Sequence, residues 1–372
     1  MHRQPRTGRD DRAGEAQRQV GQKLKLERLR KGFRTLIAIE YHDDLNIVQG
    51  DPALNALLCP EQAAAPFDRL AWWRALAEDC DILPLIAIAR KGDACAVLSL
   101  RRVKRNIETL ANWYSFRVRP VITPGADGQK LLTALAEDIV SQAPRITLSP
   151  LPDENGETSQ IEAAFRKMGW LVFREQCNVN HVLKVQGRSF AEYFASRPGP
   201  LRTTLKRKCG KVQVRIETAF NTESWAAYEA IYAQSWKPEE GSPSFLRRFA
   251  QEEAEAGRMR LGLAFADGEP VAAQFWTVEG GTAFIHKLAH TEASKPLSPG
   301  TTLSAALFEH VIDKDHVELV DFGTGDDGYK RDWMEEVRLR YRLVMYRPAW
   351  PGNWIAIAKH LARRLVPSAK HG

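Results

Sequence analysis

The chain has 372 residues, more than one compact core comfortably holds and enough for two ordinary domains. With 44% hydrophobic and 27% charged residues, wholesale disorder is excluded. The net charge of +7 falls within residues 1–34, where 11 Lys/Arg meet 4 Asp/Glu; the remaining 42 basic residues are matched by 42 acidic ones, which argues against a nucleic-acid-binding body.

Residues 1–34 read as a basic arm, with a helix expected over 20–32. A first domain is expected over 35–186. Its pattern predicts a helix over 67–79, a hairpin of strands 84–90 and 94–101, and a strand near 112–117. A helix at 129–141, a strand at 145–149, a helix at 157–169 and paired strands through Lys184 follow.

The second domain, 187–347, is clearer. Residues 212–218 alternate as a strand, and 222–236 place Trp225, Tyr228, Ile231, Tyr232 and Trp236 at helical spacing. A polar loop over 237–243 leads to a helix over 244–256. Strands at 258–266, 270–278 and 282–290 are joined by Asp267-Gly268 and Glu279-Gly280-Gly281. A helix over 301–314, a buried strand over 317–322, a Gly/Asp loop, a short helix at 329–334 and a strand at 339–346 complete the order β-α-α-β-β-β-α-β-α-β. The first half repeats much of it, as a diverged internal duplication would. The fold class is therefore α/β (α+β): two tandem domains, each a mixed, mostly antiparallel sheet flanked by helices.

The residues that suggest a family are the basic run Leu201-Arg202-Thr203-Thr204-Leu205-Lys206-Arg207-Lys208, the hairpin Gly268-Glu269-Pro270-Val271-Ala272-Ala273, the segment Leu297-Ser298-Pro299-Gly300-Thr301-Thr302-Leu303, and the run Asp321-Phe322-Gly323-Thr324-Gly325-Asp326-Asp327-Gly328-Tyr329-Lys330. In this order the sequence resembles the GNAT superfamily of acyltransferases, in the tandem-domain branch related to FemAB and to CelD-like acetyltransferases of polysaccharide loci. The likeness covers residues 190–347 well and 60–185 only by element order.

The resemblance implies an acyl-CoA-dependent N-acyltransferase without a metal. It places the CoA pyrophosphate on Ser298, Pro299, Gly300, Thr301 and Thr302, where backbone N–H groups and the helix dipole favour anions; a plain helix cap would read the same way. The thioester carbonyl is expected against backbone N–H groups of the 270–278 strand. Candidate acid–base groups are His286, Asp321, Asp326, Tyr329 and Lys330. His286 reads in phase with Phe284, Leu288 and His290 and suits proton abstraction from an amine, or structural packing equally. Asp321 ends its strand and either acts in chemistry or caps the glycine-rich loop behind it. Tyr329 is placed to serve the leaving thiolate. Lys330 suits a phosphate or Asp321. Trp236 and Lys237 are candidates for the acceptor cleft, and Arg202 and Lys206 for drawing in CoA phosphates or an acidic acceptor. The first half lacks these motifs; Thr123-Pro124-Gly125 is a faint echo of the pyrophosphate loop, and this domain is expected to shape the acceptor site.

Over 348–372, Trp350, Trp354, Ile357, Leu361 and Leu365 form an apolar stripe with Lys359, Arg363 and Arg364 mostly opposite. Such a tail either lies in a membrane interface or packs on the domain. Five scattered cysteines without a CxxC pair define neither a disulfide framework nor a zinc site. No secretory h-region is read in the first 34 residues, and the longest apolar run, 82–89, is too short to cross a bilayer. A cytoplasmic enzyme is expected, peripheral on the inner membrane surface if residues 350–366 and the 1–34 arm touch lipid. The acceptor is then a small-molecule or lipid-linked amine of envelope lipid or polysaccharide synthesis, a sphingoid base being one candidate. A FemAB-like aminoacyl-tRNA-dependent transferase and a non-catalytic CoA-binding scaffold remain open; nucleic acid other than tRNA is not an expected partner, and nothing in the sequence specifies an oligomeric state.

Overall fold

A computed structural model describes residues 36–365, so the helix expected over 20–32 lies outside the described residues. The chain opens with strand β1 (Ala38–His42) and helices α1 (Leu45–Gly50), α2 (Pro52–Leu57) and α3 (Leu70–Asp79). Carboxylates start the first two: Asp44 accepts the Asn46 N–H at 2.8 Å, and Asp51 accepts those of Ala53 and Leu54 at 2.9 and 3.0 Å. Strands β2 (Pro84–Lys91), β3 (Ala94–Val103), β4 (Asn106–Thr109) and β5 (Val121–Ile122) precede α4 (Gly128–Asp138), β6 (Arg145–Leu151), α5 (Glu157–Lys167) and β7 (Leu171–Lys184).

The second half runs through α6 (Phe190–Ala195), α7 (Gly199–Lys208), β8 (Gln213–Glu217), α8 (Thr222–Ala233), α9 (Pro243–Glu255), β9 (Met259–Ala266), β10 (Glu269–Glu279) and β11 (Thr282–His290). It continues with α10 (Pro299–Glu309), β12 (Leu319–Thr324), α11 (Gly328–Trp333), β13 (Glu336–Tyr346) and α12 (Trp354–Leu365).

Both halves have the expected mixed sheet, and the two are fused into one of 13 strands, ordered β1-β2-β3-β4-β6-β13-β7-β12-β11-β10-β9-β8, with β5 beside β3. The join is made by β13, which leaves the second half to insert between β6 and β7, while β7 pairs with β12 on its other edge. The paired strands expected before Lys184 are therefore one strand, β7, whose hairpin partner is supplied by the far end of the chain. No strand forms over 112–117. The Asn112 side chain accepts the Tyr114 N–H at 3.0 Å, and its carbonyl accepts that of Ser115 at 3.1 Å, so a turn replaces the ladder. The basic run 201–208 is the helix α7, with Leu201 buried and Leu205 packed beneath its charged face.

One face of the sheet carries a core shared by the halves. Trp72 stands edge-on to Phe245 and Phe249 at 4.9 and 5.0 Å, and Tyr114 stacks on Phe245 at 5.0 Å. Beside it the buried Arg69 donates to Glu253 at 2.5 Å and to Glu279 at 2.8 Å, locking the first half to the second. Burial, opposed by Arg69, raises the Glu279 pKa. The opposite face bears separate cores under α4 and α5 and under α7 and α10.

The terminal stripe divides. Ile357, 1% exposed, packs on Phe173, Val344 and Tyr346, and His360 stacks on Phe173 at 4.7 Å. Trp350, Trp354 and Leu361 remain exposed. Among the described residues, no helix is long and apolar enough to cross a membrane.

Candidate active site

The site originates in a parallel strand pair that comes apart. β11 and β12 pair at Thr282–Leu319, Ala283–Val320 and Phe284–Asp321, then diverge. Beyond Phe284, the β12-facing edge of β11 has no strand partner. The gap is a cleft of about 170 Å³ lined by Ile285, His286, Lys287 and Leu288 on one side and Phe322, Gly323 and Thr324 on the other. Trp113 and Phe116 close it from the first half, while Tyr329, Lys330 and Lys237 stand at its mouth.

This corrects the expected oxyanion strand. β10, which contains 270–278, is hydrogen-bonded on both edges, to β9 and to β11, so its amides are already used. The unpaired amides belong to β11.

A second correction follows from a bulge. Phe275 pairs with Lys287 and Trp276 with Ile285, which leaves His286 as an extra residue in β11. The alternation breaks there, so His286 and Lys287 both turn toward the shared core, and Leu288 falls on the opposite face from Phe284.

His286 is ringed by Phe249 at 5.1 Å and by Phe116 and Phe275 at 5.3 Å, and it shares a 2.8 Å hydrogen bond with the Thr277 hydroxyl. Burial, then Lys287 and Arg69, push its pKa down to about 3. Such an imidazole is neutral at physiological pH but too weakly basic to draw a proton from an amine.

Three lysines converge on the cleft. Lys287 donates to Glu240 at 2.8 Å, and its ammonium lies 4.6 Å from the Tyr114 ring and 5.1 Å from that of Tyr232. Lys330, 4% exposed, donates to the Thr324 carbonyl at 2.5 Å and lies 3.7 Å from Asp327. Lys237 lies 5.3 Å from the Trp236 ring. Burial lowers the pKa of all three. Tyr329 rests edge-on to Phe322 at 5.7 Å. Burial, then Asp327, hold its phenol well above the usual range, and the hydroxyl has no protein partner among the described residues.

Two candidate carboxylates are occupied elsewhere. Asp321 is buried and accepts from Asn180 at 3.0 Å and from the Gly323 N–H at 2.8 Å, so it shapes the loop that forms one wall of the cleft. Asp326 is exposed, bonded to His181 at 2.9 Å and to Arg331 at 2.6 Å, and the Arg331 pairing, followed by His181, keeps its pKa low.

The segment Ser298, Pro299, Gly300, Thr301, Thr302 forms the start of α10. Ser298 adopts φ +54°, and its carbonyl accepts the Thr301 and Thr302 N–H groups at 3.2 and 3.4 Å, with no side chain capping the helix. Thr302 Oγ1 is buried without a partner. His290 lies beside Gly300 and packs on Trp236 at 4.5 Å, which connects this helix start to the lysine cleft. Arg202 and Lys206 lie on the exposed face of α7, away from the cleft; Arg202 donates to the Arg197 carbonyl at 3.0 Å. From the same helix, Lys208 reaches the Pro296 carbonyl at 2.9 Å, two residues before Ser298.

Next to the cleft lies a larger cavity of about 540 Å³, sharing Tyr232 and Lys237 with it. Trp225, Tyr228, Leu246 and two prolines supply apolar walls, and Glu229, Glu239 and Glu240 supply negative charge. Lys287 and Glu240 were not singled out from the sequence. The only signal was a lysine interrupting an apolar strand, and the bulge that aims it is not legible there.

Residues 201–331 match the family model of the acetyltransferase (GNAT) domain. The chain as a whole shares its two-half fold with FemX (TM-score 0.59, 9% identity, 85% of this chain and 99% of that one). It is also similar to L-PGS from Bacillus licheniformis (0.54, 13%, 84% and 96%). A conserved protein of unknown function from Bacteroides thetaiotaomicron is a further neighbour (0.54, 11%, 83% and 100%). No curated protein matches the sequence.

Proposed function

We propose that the protein transfers an acyl group from acyl-CoA to an amine in cell-envelope lipid or polysaccharide synthesis. The observation that carries the reading is the divergence of β11 and β12 beyond Phe284 and Asp321, which opens unpaired strand amides onto a cleft ringed by Lys237, Lys287, Lys330 and Tyr329.

In this reading the thioester carbonyl lies against the β11 amides, and the nearby ammonium groups favour the oxyanion formed when the amine nitrogen attacks. The C–S bond then breaks. The departing sulfur accepts a hydrogen bond from Tyr329, and the amine proton leaves through water, since His286 is too weak a base. The start of α10 takes the pyrophosphate, supported by the helix dipole and by the absence of a side-chain cap there. The 540 Å³ cavity suits an amine carrying an apolar body, a sphingoid base being one such shape, with its carboxylates attracting the cationic form. The exposed remainder of α12 is proposed to rest on the membrane that holds such an acceptor.

The exposed basic face of α7 beside the α10 loop favours a second reading, in which aminoacyl-tRNA is the donor. Thermal melting with CoA, acetyl-CoA, palmitoyl-CoA and mixed tRNA separates the two, because a ligand selective for the folded state raises the midpoint. The expected result is a shift with CoA species and amide product by mass spectrometry with a panel of amines. A shift with tRNA alone supports the second reading. Silence with every ligand overturns both and leaves a non-catalytic scaffold.

A further inference from the structure

The first half carries a polar groove that the transfer reaction does not use. It is about 540 Å³ and lies on the sheet face opposite the core of α4 and α5. Arg145, Thr147 and Ser149 rise into it from β6, Arg342 and Tyr346 from β13, Arg101 from β3, Glu108 from β4 and Glu175 from β7, with His360 of α12 at one end. Alternation explains the chemistry. Ile146, Leu148, Leu343 and Met345 point into the helix-covered core, so their neighbours must point out.

Its charges do not balance. Arg101 donates to Glu108 at 3.0 Å, and Glu175 lies 3.1 Å from His360. Arg145 and Arg342 make no ion pair or side-chain hydrogen bond among the described residues, and the Nε atoms of Arg101 and Arg145 are buried without partners. Arg342 stands across from Glu175 and Arg145 from Tyr346, so Arg145 is the guanidinium without a facing carboxylate, in a groove that also offers the hydroxyls of Thr147 and Ser149. Arg145 is half-buried with its Nε unpartnered, Arg342 is exposed, and a guanidinium fork fits phosphate oxygens.

We propose that this groove is a binding site for an anionic phosphate group, held by Arg145 with Arg342 contributing from the neighbouring strand. The phosphate belongs either to a soluble ester or pyrophosphate or to the headgroup of an anionic lipid, and the chemistry at the arginines is the same.

The test compares the intact protein with Arg145→Gln/Arg342→Gln. Neither side chain makes a hydrogen bond or ion pair that the substitution would break, so the double variant folds and its own melting temperature is unchanged. Binding is measured by calorimetry with inorganic pyrophosphate and with glycerol phosphate, and by sedimentation with vesicles containing phosphatidic acid against vesicles of phosphatidylcholine alone. Binding of a soluble probe, weakened at least tenfold in the double variant, supports a soluble phosphate ligand. Binding confined to phosphatidic acid vesicles and lost in the variant supports the lipid headgroup. Absence of binding to every probe overturns the proposal, as does binding that the double variant retains in full, which would place the anion elsewhere, at the start of α10 for instance. CoA binding and amide formation in the double variant report separately on the transfer site.

Discussion

Replacing Tyr329 with phenylalanine keeps the ring against Phe322 and removes only the hydroxyl that faces the cleft. An ordinary phenol has a pKa of about 10 and a thiol about 8.5, so full proton transfer from tyrosine to a thiolate is uphill by about 2 kcal/mol. Burial and Asp327 raise the Tyr329 phenol further, which steepens that climb. Tyr329 therefore stays protonated and donates a hydrogen bond to the departing sulfur. Such a bond to a charged group contributes about 1.5–3 kcal/mol, so Tyr329→Phe should lower kcat by about 10- to 150-fold. The assay is amide formation by mass spectrometry at saturating acyl-CoA, alongside the CoA affinity from thermal melting. CoA affinity should change by less than about twofold, because the bond forms only as charge develops on sulfur. A kcat within twofold of the intact protein would refute the reasoning, and so would a CoA affinity that falls as far as kcat.

Other outcomes test other parts of the structure. With its pKa depressed from 6.5 to about 3, His286 binds its proton in the unfolded chain first, so stability is lost as pH falls below about 6.5. Between pH 6.5 and 5 this one group accounts for at most about 2 kcal/mol in urea unfolding; His286→Gln should flatten that loss, and an undiminished acid dependence would contradict the assignment. Arg69→Met leaves the carboxylates of Glu253 and Glu279 buried and should cost about 3–5 kcal/mol by the same method; a cost below about 1 kcal/mol would show that the halves are not locked there. At Gly323, φ is +68° and an added Cβ would lie 2.9 Å from the Phe116 ring. Gly323→Ala should destabilise by about 1–2 kcal/mol and, by moving Phe116, reduce kcat/KM by roughly tenfold or more, whereas intact kinetics would remove this wall from the site. Deleting residues 350–372 should abolish sedimentation with vesicles if the exposed α12 residues make the contact; retained sedimentation would assign it to another surface.

The elements with strong local signals were legible. The aromatic spacing of 222–236 gave α8, and Asp267-Gly268 gave the turn between β9 and β10. What the sequence hid depends on distant partners. Nothing local to 336–346 says that β13 crosses to sit between β6 and β7, because strand pairing is decided by surfaces that meet only after folding. The site was read unevenly for a similar reason. Lys237, His286, Tyr329 and Lys330 do gather at one cleft, yet the bulge at His286 reversed the expected phase of Leu288 and revealed Lys287. Asp321 and Asp326 sit in the right run of residues, but Asn180, His181 and Arg331 already claim them. Spacing alone could not show those partners.

The most direct test of the central claim is hydrogen–deuterium exchange of the intact protein with and without saturating CoA or acyl-CoA. The cleft reading predicts slowed exchange at the amides of 285–288 and at the start of α10, residues 300–303, with little change in β10, whose amides are already bonded. Protection absent from both segments, or confined to α7, would contradict the assignment of the diverging β11 and β12 as the donor site.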